Sequence, residues 1–249
     1  MPTPFYHLSI AEQILLGGRL KPATQALLEA QRGAFLFGHT APDVQTLSGQ
    51  PREATHFFNL PPEDTLPPWE RMLRQFPQLA AGQLPEPPRA FVAGYLCHIQ
   101  ADLDWLMQIF IPVFGPQADW ADFEERLTWH NVLRAWMDQP PLREIRGDIW
   151  SMLEGAQPED WLPFVDDQYL ATWRDYLVQQ LRPGGRVETA EIFARRLGLE
   201  PSDFEELLSS GSALEDNIFS RLPKSQLEEY RGTLIHNNIA LIEEYLGTS

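Results

Sequence analysis

The run 90–111 is apolar on nearly every side of any helix drawn through it, AFVAGYLCHIQADLDWLMQIFI. A helix without a polar face has to be wrapped by other elements, so the run predicts a central buried helix, ended by Pro112. The same run carries His98, Gln100, Asp102 and Asp104, groups that are expensive at membrane depth, and a transmembrane span is therefore excluded.

The rest of the chain reads as the wrapping. Ser9 and Glu12 have capping-box spacing ahead of Ile10, Ile14, Leu15 and Leu16, which predicts a helix opening at Ser9 with His7 just outside it. A second helix is expected over 22–31, stopped by Gly33, and Phe35-Leu36-Phe37 reads as helix or buried turn. Gly38 to Asp43 reads as a loop, because Gly and Pro both oppose helix continuation and Pro42 holds Ala41 extended. The stretch 60–88 is a proline-punctuated connection with a helix over 69–76. Trp120, Phe123, Leu127, His130, Leu133, Arg134 and Met137 recur near helical spacing and predict a helix over 119–138, closed by Pro140-Pro141. Further helices are expected over 145–153, 158–181, 189–197, 201–209 and 224–246, with an internal boundary at 182–185. Without sustained Val, Ile and Thr alternation or an internal repeat, the fold class is all-α: a multi-helix bundle with a helical C-terminal extension. We divide it into a metal-binding helical core, 1–139, and a helical region, 140–249, the latter either separate or packed on the core as one domain.

At 249 residues the chain can bury one large core. Its net charge of -16 argues against a broad surface for nucleic acid or anionic lipid, which needs clustered Lys and Arg. A lone cysteine, Cys97, rules out an internal disulfide, and the first residues lack a basic segment followed by a long apolar one. The expected location is cytoplasmic.

His98 and Asp102 stand four apart on the predicted central helix, so both emerge from one face and can clamp one metal ion. The competing reading is a buried histidine hydrogen-bonded to a carboxylate. An unpaired Asp in an apolar helix would be costly, and a divalent ion compensates both groups. Asp43 and His56, from preceding segments, complete a nitrogen and oxygen set suited to zinc, and His7 is a further candidate. Cys97 should face away from this site and pack. His236 is expected at the surface, and Trp105, Trp129 and Trp136 fit helix packing better than a lipid groove. Asp104 reads either as a solvated residue or as a base or outer partner near metals.

Gly38-His39-Thr40-Ala41-Pro42-Asp43, Thr55-His56-Phe57-Phe58 and the segment from Gly94-Tyr95-Leu96-Cys97-His98 to Asp102 resemble, in order and spacing, the successive motifs of the bacterial zinc-dependent phospholipase C family. The resemblance covers roughly the first 140 residues. It implies an all-helical fold, shared with single-strand-specific zinc nucleases, and a zinc cluster that cleaves phosphodiester bonds. By matched position Asp43, His56, His98 and Asp102 hold one zinc, Asp102 bridges to a second, and His7 binds that second ion. Two departures stand out. The family's metal-binding mature N-terminus has no visible counterpart in the processing of this chain, and its HxxxE pair is replaced by His130 and Arg134. A third metal is therefore expected to be missing or altered, with His130 completing the second site. Arg134 would contact a substrate phosphate or, as the commoner alternative, form a surface ion pair. His39 is a turn residue or a support behind the ligands, with substrate contact as the alternative.

The resulting expectation is a metal-dependent phosphoric ester hydrolase with two zinc ions, Asp102 as bridge and Asp43 as the base that orients a water. Its substrate would be a small phosphoric ester or a phospholipid headgroup. Single-stranded nucleic acid is disfavoured because no basic stripe interleaves with aromatics. The alternative is a non-catalytic helical protein with one structural metal, acting in protein contacts; a third reading is a metal-free hydrogen-bonded core.

Overall fold

The computed structural model describes residues 1–62, 66–145 and 147–247. Residues 63–65 of the proline-rich connection and Arg146 of the predicted 145–153 helix lie outside them. The described residues are helical without strands, which establishes the all-α class. No helix among them is long and apolar enough to cross a membrane.

The first helix, α1 (Pro4–Leu16), begins earlier than its capping-box signal indicates. Thr3 is the N-cap, accepting from the Tyr6 N–H at 3.3 Å, and Pro4 fills the first turn, where a missing N–H costs nothing. Ser9 and Glu12 have other work: the Ser9 hydroxyl donates to the Tyr6 carbonyl at 2.8 Å, and the buried Glu12 pairs with the buried Arg32. His7 consequently lies inside a helix and not before one. Next come α2 (Pro22–Ala30) and α3 (Arg32–Gly38). Gly33 is not the expected stop. It sits inside α3, where a Cβ would fall 2.2 Å from the Met152 carbonyl oxygen. A 3-10 turn (Ala41–Val44) carries Asp43 and runs into α4 (Gln45–Ser48), followed by α5 (Glu53–His56).

Beyond α6 (Pro68–Gln75), the central helix α7 (Glu86–Trp105) is buried around almost its whole circumference, as its apolar run requires. It passes into a π turn (Leu106–Phe110) and α8 (Ile111–Phe114), so Pro112 does not end the helical path. The π turn already breaks the regular ladder there, leaving little for the proline to disrupt. Helix α9 (Phe123–Glu144) likewise continues past Pro140. Its prolines fall near the helix end, where only a few residues of helix follow them and the ladder they interrupt is short.

The second half comprises α10 (Ile149–Gly155), α11 (Asp167–Leu181), α12 (Thr189–Leu197), α13 (Pro201–Ser209), α14 (Gly211–Leu214), a π turn (Glu215–Phe219) and α15 (Lys224–Gly247). These helices pack on the first half: α10 on α3, α12 and α13 on α9, and α15 on both α1 and α7. Cys97 turns toward α15, its Sγ 3.8 Å from the Asn238 carbonyl oxygen, and burial pushes the thiol pKa up. His236 is exposed.

The tightest helix crossing is α3 on α7. A Cβ at Gly38 would fall 2.0 Å from the Phe91 carbonyl oxygen, and one at Gly94 would fall 2.3 Å from that of Phe35. Only glycine permits main chains to meet at this range. Because the contact lies one turn before His98 and one residue before His39, it controls how the site is assembled.

Candidate metal centre

Five polar side chains converge where α7 is crossed by α1 and by the segment containing Asp43 and α5. His7, His98 and Asp102 form one ligand triad, and Asp43, His56 and His98 form another, with ligand atoms inside each triad within 4.8 Å of one another. The Asp102 carboxylate is central: Oδ1 lies 3.3 Å from His7 Nε2, and Oδ2 lies 3.3 Å from His56 Nε2 and 3.7 Å from His98 Nε2. Asp43 Oδ1 is 3.8 Å from His56 Nε2. The four-residue spacing on α7 aims His98 and Asp102 at one point, as the sequence predicts.

Each supporting contact leaves a ring nitrogen free to face inward. His98 Nδ1 lies 2.8 Å from the His39 carbonyl oxygen and donates to it, which fixes the tautomer that leaves Nε2 with a lone pair. His56 Nδ1 is 2.9 Å from the Thr55 hydroxyl. The Nε2 atoms of His7, His56 and His98 and Asp102 Oδ1 are all buried without a properly aligned hydrogen-bond partner. Three orphaned imidazole nitrogens around one carboxylate do not describe a satisfied hydrogen-bonded core. They are the donor set and burial that suit a zinc-type ion. The His7 and His98 rings stack at 3.9 Å, which holds both edges toward the same centre.

Local backbone serves the same end. Tyr95 donates its hydroxyl to the Thr55 carbonyl at 2.7 Å, tying α5 to the central helix beside His56. Phe57 then turns the chain away in the left-handed region, φ +61°, a conformation unfavourable for its side chain and retained against the rings of Phe76 and Phe164.

Electrostatics separate the site's members. Burial lowers the pKa values of His98 and His56, so both rings are neutral, the form that binds metal. Asp102 is pushed up by burial but held well below the carboxylate range by His98, His56, His7 and Arg52, and is ionised. Burial raises the Asp43 carboxyl against the opposing pull of His56.

Arg52 was not visible as a site residue from sequence. Its guanidinium pairs with Asp102 Oδ2 and lies 4.6 Å over the Phe58 ring. The available signal was its position four residues before His56, which places both on one side of α5.

Three expected site residues stand outside the two triads, two of them, His130 and Arg134, on the wall of the adjoining cavity. His130 belongs to neither triad: it sits among Trp105, Phe110 and Phe114, and its Nε2 accepts from the Trp105 indole at 3.4 Å. His39 is fully buried, does not border the cavity described next, and contributes its carbonyl in place of its ring. Arg134 is half-buried and not in a surface ion pair; it donates to the Asn131 side chain at 3.1 Å and stacks 4.5 Å over Phe193. Asp104 is held by Gln100 and Asn237, apart from the triads.

Asp43, Asp102 and Arg52 open onto a cavity of about 860 Å³. Phe5, Leu47, Phe110, Trp173 and Phe193 supply apolar wall, and Arg134, Arg195 and Arg196 supply charge. The second half of the chain thus contributes side chains to this cavity as well as helices. Trp173 donates its indole N–H to the Thr40 carbonyl at 2.8 Å and so clasps the turn that presents Asp43. No protein-family model matches the chain, and no curated protein or solved structure matches it either.

Proposed function

We propose that the protein is a metal-dependent phosphoric ester hydrolase of the phospholipase C type, with His7, Asp43, His56, His98 and Asp102 holding a zinc-type centre. The observation that carries this reading is the convergence of three unpartnered imidazole Nε2 atoms on the Asp102 carboxylate at the edge of a large cavity. Bound divalent ions would supply a water of lowered pKa and neutralise charge on the phosphoryl oxygens.

The residues of this chain have distinct tasks. His98, fixed by the His39 carbonyl, and Asp102 define the centre. Asp43 is the more accessible carboxylate, and its raised pKa suits it to take a proton from a water in the cavity. Trp173, Leu177 and Phe193 line that side with apolar surface, which would limit bulk water there. A purely structural metal is disfavoured, since structural sites are closed and this donor set faces a cavity.

The test is elemental analysis of protein purified without added metal or chelator, together with hydrolysis of bis(p-nitrophenyl) phosphate. The expected result is about two zinc or similar ions per chain, with ions and turnover both lost in His98→Ala and Asp102→Ala. Metal-free protein that stays folded and inactive would defeat the proposal; about one tightly held ion without turnover would favour a structural metal.

A further inference from the structure

Arg134 of α9 and Arg196 of α12 approach the same aromatic ring, with guanidinium carbons 4.5 and 5.9 Å from the centre of Phe193. Arg195 follows on the same cavity wall. None of the three has a carboxylate within ion-pair distance among the described residues. The cavity's own acids are engaged or removed: Asp102 by Arg52, Glu188 by the Tyr176 hydroxyl at 2.9 Å, and Asp43 on the metal side. Arg134 Nε is buried with no partner at all, while its Nη1 reaches only the neutral Asn131. Two cations gathered at one ring repel each other: burial lowers the Arg134 pKa to about 10, the carboxylate of Asp43 opposes that fall, and Arg196 adds to it.

The ordinary explanation for Arg195 and Arg196 is that cations in the last turn of α12 favour the helix dipole. It does not extend to Arg134, which comes from the middle of another helix and is drawn into the same spot. In a chain of net charge -16, unpaired arginines from two helices facing one cavity are the arrangement that an anion with several acceptor oxygens satisfies.

We propose that Arg134, Arg195 and Arg196 form a phosphate-binding subsite separate from the metal centre, so that the substrate is a phosphoric ester carrying a second phosphate group. The substrate assignment rests on the hydrolase reading; the subsite itself does not. One phosphate lies at the Asp43 and Asp102 end of the cavity, the second at Arg134 and Arg196, and the apolar wall between them covers the linking organic part.

Inorganic phosphate titrated calorimetrically into the full chain tests the subsite. Arg196 and Arg195 are exposed, so Arg196→Ala and Arg195→Ala keep the fold and are the primary variants, with Arg134→Met as a third. Arg196→Ala should weaken phosphate binding about tenfold, the loss of one charge-assisted contact, and a phosphate contact at the subsite should persist in Asp102→Asn. Wild-type affinity in Arg196→Ala and Arg195→Ala, or phosphate binding abolished by Asp102→Asn and untouched by the arginine changes, would overturn the proposal. Arginine-dependent phosphate binding by a protein that holds no metal would support the subsite while removing the hydrolase reading. Where turnover exists, Arg196→Ala should raise KM for a bis-phosphate ester about tenfold and leave KM for a simple diester nearly unchanged.

Discussion

Gly94 of the central helix lies so close to Phe35 that a Cβ at Gly94 would stand 2.3 Å from the Phe35 carbonyl oxygen. The same Cβ would stand 3.0 Å from the His39 amide nitrogen. Gly94→Ala must therefore push apart the two main chains whose contact delivers the His39 carbonyl to His98. The variant should lose about 3 kcal/mol of stability in denaturant unfolding and bind metal more weakly. Retained metal affinity would mean that the close crossing does not set the histidine.

Arg52 occupies Asp102 Oδ2, the oxygen that a metal ion at the proposed centre would also need. Arg52→Met should cost on the order of 3 kcal/mol in metal-free protein, because a buried carboxylate loses its cation. The same change should tighten zinc binding in a competition titration with a chromophoric chelator. Unchanged zinc affinity would show that the guanidinium yields without cost.

His130→Leu separates the observed contact from the expected ligand role. It leaves the Trp105 indole without its acceptor, at a cost of about 1–2 kcal/mol in thermal or denaturant unfolding. Metal content should stay the same as in wild type. A drop in metal stoichiometry would restore His130 to the centre.

Asp138 gives a pH dependence remote from the candidate ligands. It is buried, accepts from the Thr3 and Thr189 hydroxyls, and burial raises its pKa to about 7. A raised folded-state pKa means the native state holds the proton longer than the unfolded chain does. Stability from this group is full below about pH 4 and falls as pH rises toward 7, by about 4 kcal/mol over the interval. Asp138→Asn should flatten that slope when the two proteins' unfolding free energies are compared across pH. Parallel pH profiles would refute the assignment.

Helices with unambiguous local signals were legible in the sequence to the residue. Thr189–Leu197 has its start and its Gly198 stop, and Pro201–Ser209 has its proline. The opening of α1 was misread because Ser9 and Glu12 imitate a capping box, while their actual partners, the Tyr6 carbonyl and Arg32, are visible only in three dimensions. Prolines at 112 and 140 misled for a related reason: a π turn or a helix end absorbs them. The convergence of His7, Asp43, His56, His98 and Asp102 was legible because helical spacing joins His98 to Asp102 and because the other three stand in short, distinctive segments. Arg52, Arg195 and Arg196 were not, since membership of a cavity wall depends on how distant helices pack. The adjacent pair at 195–196 in so acidic a chain was the one local hint.

The clasp between Trp173 and Thr40 orders events in time as well as in space. All five candidate ligand residues have been added to the chain by position 102, some seventy residues before Trp173 and longer still before Arg195 and Arg196. Phe5, Leu47 and Phe110 of the cavity wall are made early, but Trp173, Phe193, Arg195 and Arg196 come only in the last third of the chain, so the candidate ligands can gather before that side of the cavity is built.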